Sequence, residues 1–92
     1  MRKYRTQTEI KIEILSYVAK DDATVSDIVR DIEVPYTRAK VYMDQLESSG
    51  LLKKLSEKDY KITEEGYKFL NEYKKVQRLL DLYGLSSKKK DD

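Results

Sequence analysis

The fold of this chain is decided by residues 25–62, which read VSDIVRDIEVPYTRAKVYMDQLESSGLLKKLSEKDYKI. The first part of this stretch carries apolar residues at the three- and four-residue spacing of a helix, namely Val25, Ile28, Val29 and Ile32. Thr24 precedes them, and its spacing to Asp27 is that of a capping box, which starts a helix. A short amphipathic helix that ends near Ile32 is therefore predicted.

A Val-Pro pair at Val34 and Pro35 interrupts the helical pattern. Proline disfavours the helical conformation in the residue before it, but it is accepted in the first turn of a helix, where its missing N–H group would have no partner. One helix must therefore end near Ile32, and the next is predicted to begin at Pro35 and to run to about Ser49. Only a few residues separate the two helices, which is the geometry of a helix-turn-helix.

The helix that begins at Pro35 is predicted to bury one face and expose the other. Its buried positions are predicted to be Ala39, Leu46 and either Tyr42 or Met43. The opposite face is predicted to carry Thr37, Arg38, Lys40, Val41, Asp44 and Gln45. Gly50 then ends the helix, because glycine readily takes the left-handed conformation of a helix terminus.

Two short strands are predicted after Gly50, at residues 51–55 and 60–62, with the polar residues 56–59 as a hairpin loop between them. An isolated hairpin is marginally stable in water. This hairpin must therefore pack against the helices, as a wing beside the helix-turn-helix.

Further helices are predicted on both sides of this stretch. Thr6 and Glu9 have capping-box spacing, and one apolar stripe follows them, formed by Ile10, Ile14, Leu15 and Val18. Thr63 is predicted to cap the last helix, with two glutamates at the positive end of the helix dipole. Gly84 is predicted to end that helix.

The last helix carries an apolar seam with alternating four- and three-residue spacing, which is a heptad pattern. The seam consists of Phe69, Tyr73, Val76, Leu80 and Tyr83. Beyond Val76 little protein remains to cover it. Two copies of the helix packed side by side about a two-fold axis would bury the seam, so a homodimer is predicted. The alternative is a long helix that folds back on its own domain.

Composition narrows the class of protein. The chain has 92 residues, of which 39% are charged, and a net charge of +2. This length fits one domain, and a nucleic-acid surface would have to arise from local segregation of charge. The alternative is an evenly charged surface. With no cysteine and no histidine, thiolate nucleophiles, imidazole bases and most zinc sites are excluded, so we expect neither an enzyme nor a metal or other cofactor.

We expect an intracellular, cytoplasmic protein. No apolar run approaches the ~18 residues of a membrane span. The basic start at residues 1–5 is not followed by the apolar region of a signal peptide.

The order helix, helix, helix, wing, long helix resembles the archaeal winged-helix proteins of the ten-kilodalton chromatin-associated type. The likeness is carried by Glu9-Ile10 with Ile14-Leu15, by residues 34–52 with Tyr36, Tyr42 and Leu46, by Tyr60-Lys61-Ile62-Thr63-Glu64-Glu65-Gly66, and by the heptads that follow. It covers almost the whole chain outside both ends. The resemblance implies a nucleoid-associated, DNA-binding protein whose copies dimerise through an antiparallel coiled coil of their last helices.

The expected fold class is therefore α+β, mainly α: a winged helix-turn-helix with a long C-terminal dimerisation helix. The DNA-binding domain, with a basic N-terminal arm, takes residues 1–62. The coiled-coil helix takes residues 63–85, and a charged tail takes residues 86–92.

In such a fold the helix from Pro35 lies in the major groove, with its first residues nearest the bases. The candidate DNA-binding residues on this helix are Tyr36, Thr37, Arg38, Lys40 and Val41. The wing adds Lys53, Lys54, Lys58 and Lys61, and the arm adds Arg2, Lys3 and Arg5. The alternatives are that Tyr36 belongs to the core, that Arg38 and Lys40 are a solvated face, and that the arm has no role.

The expected function is that of a homodimer that binds double-stranded DNA, either as a transcription regulator or as a DNA-organising protein. The modest net charge favours a regulator. The alternative is a protein-interaction module in a larger complex, because fold alone does not settle function. The acidic residues of the first loop and second helix are expected to face away from the DNA or to flank it: Asp21, Asp22, Asp27, Asp31 and Glu33.

Overall fold

The computed structural model describes residues 5–85. The predictions for Arg2, Lys3 and the tail at residues 86–92 lie outside the described residues. Within them the chain forms α1 (Gln7–Lys20), β1 (Ala23–Thr24), α2 (Val25–Ile32), α3 (Tyr36–Ser48), β2 (Leu52–Lys54), β3 (Asp59–Ile62) and α4 (Glu64–Leu82). The strands form an antiparallel sheet in the order β1-β3-β2. The predicted helix-rich α+β winged-helix fold is confirmed.

Threonine side chains fix where α1, α2 and α4 begin. Thr6 Oγ1 accepts from the backbone N–H of Glu9 at 3.1 Å, and the Glu9 carboxylate accepts from the N–H of Thr6 at 2.9 Å. Thr24 makes the same reciprocal pair with the residue three positions on, and Thr63 accepts from the N–H of Gly66 at 3.0 Å. Each cap satisfies amide donors that a helix leaves without partners, and the predicted caps are confirmed.

The turn between α2 and α3 is short. Glu33 takes the left-handed conformation, with a φ of 63°, directly after α2. Pro35 is extended, with a φ of −61° and a ψ of 148°, and is the N-cap of α3. The helix therefore begins at Tyr36, one residue later than predicted, because Pro35 lies just outside the first helical turn. The predicted end of α2 at Ile32 is confirmed.

The sheet has three strands, one more than the sequence pattern predicted. Lys54 of β2 pairs with Tyr60 of β3, and on its other side Tyr60 pairs with Ala23 of β1. A strand of two residues has no alternation that a sequence pattern can reveal. The extra pairing makes β3 the central strand and ties the wing to the segment between α1 and α2. The predicted strand at residues 51–55 is shortened to Leu52–Lys54.

The core lies between the helices and the inner face of the sheet. Its buried apolar residues are Ile10, Ile14, Leu15, Val18, Ala23, Val25, Ile28, Val34, Ala39, Tyr42, Met43, Leu46, Leu52, Tyr60, Ile62 and Leu70. The predicted buried stripe of α1 is confirmed, and on α3 both Tyr42 and Met43 are buried. On α2, Val29 and Ile32 are only partly buried. Each large apolar side chain that is fully buried stabilises the fold by about 1.5–3 kcal/mol.

The start of α4 packs closely against the base of the wing. A Cβ atom added at Gly66 would lie 2.4 Å from the backbone oxygen of Leu51 and 2.5 Å from Cγ1 of Ile62. The Tyr67 hydroxyl donates to the backbone oxygen of Ala19 in α1 at 3.2 Å. The helix is 19 residues long, or about 28 Å.

The helix α4 ends at Leu82, before Gly84, which takes a left-handed φ of 69°. This end was predicted from the glycine. Among the helices within residues 5–85, none combines the length and the apolar character that crossing a bilayer requires.

Candidate nucleic-acid interface

The first two turns of α3 expose a group of side chains to solvent. Tyr36 is 55% exposed and Val41 is 46% exposed, and Thr37 and Arg38 are exposed beside them. The exposure of Tyr36 rules out the alternative that it belongs to the core. Together with Pro35, the residues Thr37, Arg38 and Val41 line a shallow, open depression.

The side chains at the start of α3 are exposed because the opposite face of this helix is buried in the core. Ala39 and Met43 are fully buried, and Tyr42 and Leu46 are buried beside them. With these four residues turned into the core at helical spacing, the residues between them must face outward. The orientation of the candidate DNA-binding residues on α3 is therefore fixed by core packing.

The wing does not bring its lysines together on one face. Lys53 and Lys61 lie directly opposite each other, whereas Lys54 lies opposite Tyr60 in the neighbouring pair. Directly opposed residues of an antiparallel pair project from the same side of the sheet, and successive residues alternate between the sides. Lys54 therefore shares a side with the buried Tyr60 and projects toward α3, while Lys53 and Lys61 project from the outer side. Lys58 lies in the loop between the strands and is exposed.

Asp44 connects α3 to the wing. Its Oδ2 atom accepts from Lys40 Nζ at 2.9 Å, and its Oδ1 atom accepts from the Tyr60 hydroxyl at 2.9 Å. Lys54 Nζ lies 3.9 Å from the same Oδ1 atom and 5.8 Å from the centroid of the Tyr60 ring. One carboxylate therefore contacts two of the candidate phosphate-binding lysines and a buried tyrosine. Asp44 was predicted only to face outward.

The contacts of this cluster favour the charged forms of Asp44 and Lys40 and the neutral form of Tyr60. The hydrogen bond from Lys40 is the main cause that lowers the pKa of Asp44, against the opposing effect of burial. The same bond raises the pKa of Lys40. Burial, followed by the bond to Asp44, raises the pKa of Tyr60. Lys40, Lys54 and Asp44 therefore sum to one positive charge rather than two.

Arg5, predicted as part of the basic arm, is engaged within the fold. Its guanidinium donates to the Glu13 carboxylate and to the backbone oxygens of Ile32 and Glu33, at 3.0 and 3.3 Å from the two oxygens. Its side chain is only 20% exposed. Arg5 thus fastens the start of α1 to the turn that precedes α3. No local pattern links residues so far apart in sequence.

The acidic residues of α2 form a separate network. The Arg30 guanidinium donates to Asp31 at 2.8 Å and to Asp27 at 3.2 Å, and the Tyr17 hydroxyl donates to Asp31. The bond from Arg30 is the main cause that lowers the pKa of Asp31 to about 2. This network joins α1 to α2, whereas Asp44 joins α3 to the wing. Within residues 5–85, no group of acidic side chains is placed to hold a metal ion.

The apolar seam of α4 is largely uncovered by the described part of the chain. Phe69 is 39% exposed, Val76 51% and Tyr83 70%, while Tyr73 and Leu80 are partly buried. The exposed apolar surface continues through Leu79, Leu82 and Leu85. The rings of Phe69 and Tyr73 stack with their centroids 6.4 Å apart. The side of α4 that packs on its own domain is the one that carries the buried Leu70.

Solved structures from three organisms share the fold of this chain. The transcriptional regulator BldR from Sulfolobus solfataricus matches with a TM-score of 0.74 at 21% sequence identity, over 85% of this chain and 60% of the BldR chain. A PadR family transcription regulator from Clostridium difficile R20291 matches with a TM-score of 0.71 at 24% identity, over 80% of this chain and 92% of the other. The protein smu.1704 from Streptococcus mutans UA159 matches with a TM-score of 0.77 at 22% identity, over 100% of both chains. Similarity at these identities establishes a shared fold, and this chain spans only 60% of the length of BldR.

Among curated proteins, none matches the sequence of this chain. A family model described as winged helix-turn-helix matches residues 4–81. The matched range takes in the capped helices, the turn at Pro35, the wing and nearly all of α4. The chain therefore belongs to the winged helix-turn-helix family.

Proposed function

We propose that this protein is a transcription regulator that binds double-stranded DNA as a homodimer. The supporting observation is the outward-facing group at the start of α3, with Arg38 at its centre and the lysine-bearing wing next to it. In helix-turn-helix proteins the second helix enters the major groove with its first residues nearest the bases. The net charge of +2 favours a regulator over a protein that coats DNA, since DNA coating rests on many phosphate contacts.

The candidate residues take different roles in this proposal. Arg38 has the planar fork that pairs with O6 and N7 of guanine, and Thr37 can touch a thymine methyl group or a phosphate. The hydroxyl of Tyr36 donates to phosphate, and the apolar Val41 lines the same surface. The remaining residues contact the DNA backbone and set the register: Lys40, Lys53, Lys54, Lys58, Lys61, Arg2 and Lys3. Arg5 would join them only by giving up its bonds to the turn.

The dimer in this proposal forms through α4. Packing the seam against a second copy would bury side chains that are each worth about 1.5–3 kcal/mol, and the hydroxyl groups of Tyr73 and Tyr83 would keep contact with water at its edges. The resemblance to the archaeal chromatin-associated proteins suggests antiparallel pairing. Residues 1–62 would then bind DNA, and residues 63–85 would form the dimer interface. A two-fold dimer presents two recognition helices to one duplex, which would place the protein on the nucleoid.

A gel-shift titration with a mixed-sequence duplex of about 30 base pairs, roughly three turns of DNA, tests the proposal. Replacing Arg38 and Lys40 together with alanine is expected to weaken binding at least about tenfold, through loss of the guanine or phosphate contacts. If about six groups contact phosphates, the wild-type affinity should fall with salt with a log–log slope of about −5. A sizing column should give the same elution volume for both proteins.

The control variant is Lys74→Ala, which removes one exposed positive charge from α4 and is expected to leave binding unchanged. Unchanged binding by the Arg38 and Lys40 variant would reject the assignment of α3 as the reading helix. A wild-type protein that binds no duplex at low salt would instead favour the protein-interaction module.

A further inference from the structure

We propose that Asp44 is a positioning residue of the DNA-binding surface, which holds α3 against the wing and lowers the affinity for the DNA backbone. This inference rests on the proposed function. Asp44 is negatively charged, as DNA is, and yet it lies among the positively charged side chains that are proposed to contact DNA. The lysines on either side of it are Lys40 and Lys54.

The position of Asp44 is held by a buried partner. Tyr60 has no exposed surface, and its hydroxyl donates to Asp44 Oδ1 at 2.9 Å. A buried hydroxyl that loses its partner is costly, so this bond keeps the carboxylate in place even if both lysines turn toward phosphates. Because Tyr60 belongs to the central strand β3 and Asp44 to α3, the same bond fixes the wing relative to the reading helix.

The charge of Asp44 opposes every duplex that docks between α3 and the wing. The sequence-independent part of DNA binding comes from neutralised phosphates, and Asp44 reduces the local charge of Lys40 and Lys54 from two to one. Sequence is read by base contacts instead. Because the contacts to the DNA backbone contribute less, the base contacts of Arg38 and its neighbours account for a larger share of the total affinity.

The chain offers a matched control for this effect. Asp31 accepts from a tyrosine hydroxyl and from a cationic side chain, as Asp44 does, but its partners lie on α1 and α2. Asp31→Asn and Asp44→Asn change the net charge of the protein equally. Only the latter removes a negative charge between the reading helix and the wing.

The test measures binding of wild type, Asp44→Asn and Asp31→Asn to the same mixed-sequence duplex at several salt concentrations. Asp44→Asn keeps an acceptor for Tyr60 and is expected to bind more tightly, with a log–log salt slope steeper by about 0.9. Lowering the salt from ~200 to ~50 mM should then raise its affinity about threefold more than that of wild type. Asp31→Asn should keep the wild-type slope. A purely structural role for Asp44 would not change the slope.

A second neutral variant, Asp44→Ser, keeps the test decisive if the asparagine variant does not fold. Either folded variant with the steeper slope supports the proposal. An unchanged or shallower slope, or the same steepening in Asp31→Asn, overturns it, as does failure of both neutral variants to fold, since Asp44 would then act through stability alone. Wild-type protein that binds no duplex at ~50 mM salt would overturn the proposed function itself.

Discussion

The two ends of α4 lie in different environments although both carry leucine. Near its start, Gly66 is buried against the wing and Leu70 is 5% exposed. Near its end, Leu79 is 53% exposed and Leu82 is 72% exposed. Leucine therefore occurs at both ends, and what differs is the protein surface available to cover it. We infer that the buried side of α4, near its start, belongs to the fold of the domain and that its exposed seam serves assembly.

This division matches the size of the domain. A short chain buries a modest core, and oligomerisation often adds the remaining stability. In this chain the core is filled by the helices and the wing, and it takes from α4 only the side that carries Leu70. Phe69, Val76 and Tyr83 of the heptad seam stay exposed within residues 5–85.

The largest expected effect is on assembly. Val76→Glu with Leu80→Glu places two charges per chain in the seam, and four in a two-fold dimer, where burying an unpaired charge is strongly unfavourable. The variant is expected to elute as a monomer from a sizing column, with the helical circular-dichroism signal of wild type. Lys75→Glu, on an exposed position of the same helix, is the control and should remain dimeric. Persistence of the dimer in the double variant would exclude the seam.

The next largest effect is expected from Leu70→Ala, at the buried position near the start of the same helix. Removing a buried leucine costs about 2–5 kcal/mol in the free energy of unfolding, which should appear as a lower midpoint in urea at fixed protein concentration. Leu55→Ala removes the same atoms from a side chain that is 50% exposed and should cost less than about 1 kcal/mol. Equal costs for the two variants would show that Leu70 is not part of the core.

A smaller effect is expected from Gly66→Ala. Alanine normally stabilises a helix by about 1 kcal/mol relative to glycine, but here its Cβ atom would lie 2.4 Å from the backbone oxygen of Leu51. Relief of this overlap requires α4 or the wing to shift, at a cost of about 1–3 kcal/mol. We therefore expect a lower thermal midpoint. Asn71→Ala, at an exposed position, should leave it equal or higher. A stabilised Gly66→Ala variant would mean that α4 and the wing move apart readily.

The features of the fold that were predicted correctly have short-range signals. The threonine caps act over three residues, the break at Pro35 follows from one covalent ring, and the faces of α1 and α3 follow from helical spacing. The strand β1 gave no such signal, because its two residues become a strand only by pairing with Tyr60 and Asp59. Its existence depends on how α1 and the wing pack together.

In the candidate site too, only the features with short-range sequence signals were predictable. The outward face of α3 followed from periodicity, whereas the partners of Asp44 and Arg5 lie on other elements. Lys40 and Asp44 have the four-residue spacing that favours a helical ion pair, so that contact carried a signal. Nothing local indicates that Tyr60 would join it, or that Arg5 would donate to the turn. Adjacent strand residues such as Lys53 and Lys54 point to opposite sides by alternation, but only the register of β2 and β3 reveals that Lys54 shares its side with Tyr60.

The smallest predicted effect is the loss, at low pH, of the stability that the Asp31 network contributes. The folded-state pKa of Asp31 is lowered to about 2 from an ordinary value of 3.8, and that of Asp44 is also lowered. A lowered pKa stabilises the folded protein at pH values above the pKa that the group has in the unfolded chain. This stabilisation is lost as the pH falls toward the pKa of the group in the folded protein. The thermal midpoint of Asp31→Asn should therefore lie below that of wild type at neutral pH and approach it between about pH 4 and pH 2. If the difference in thermal midpoint between the two proteins stays constant over this pH range, the bonds from Arg30 and Tyr17 do not persist in solution.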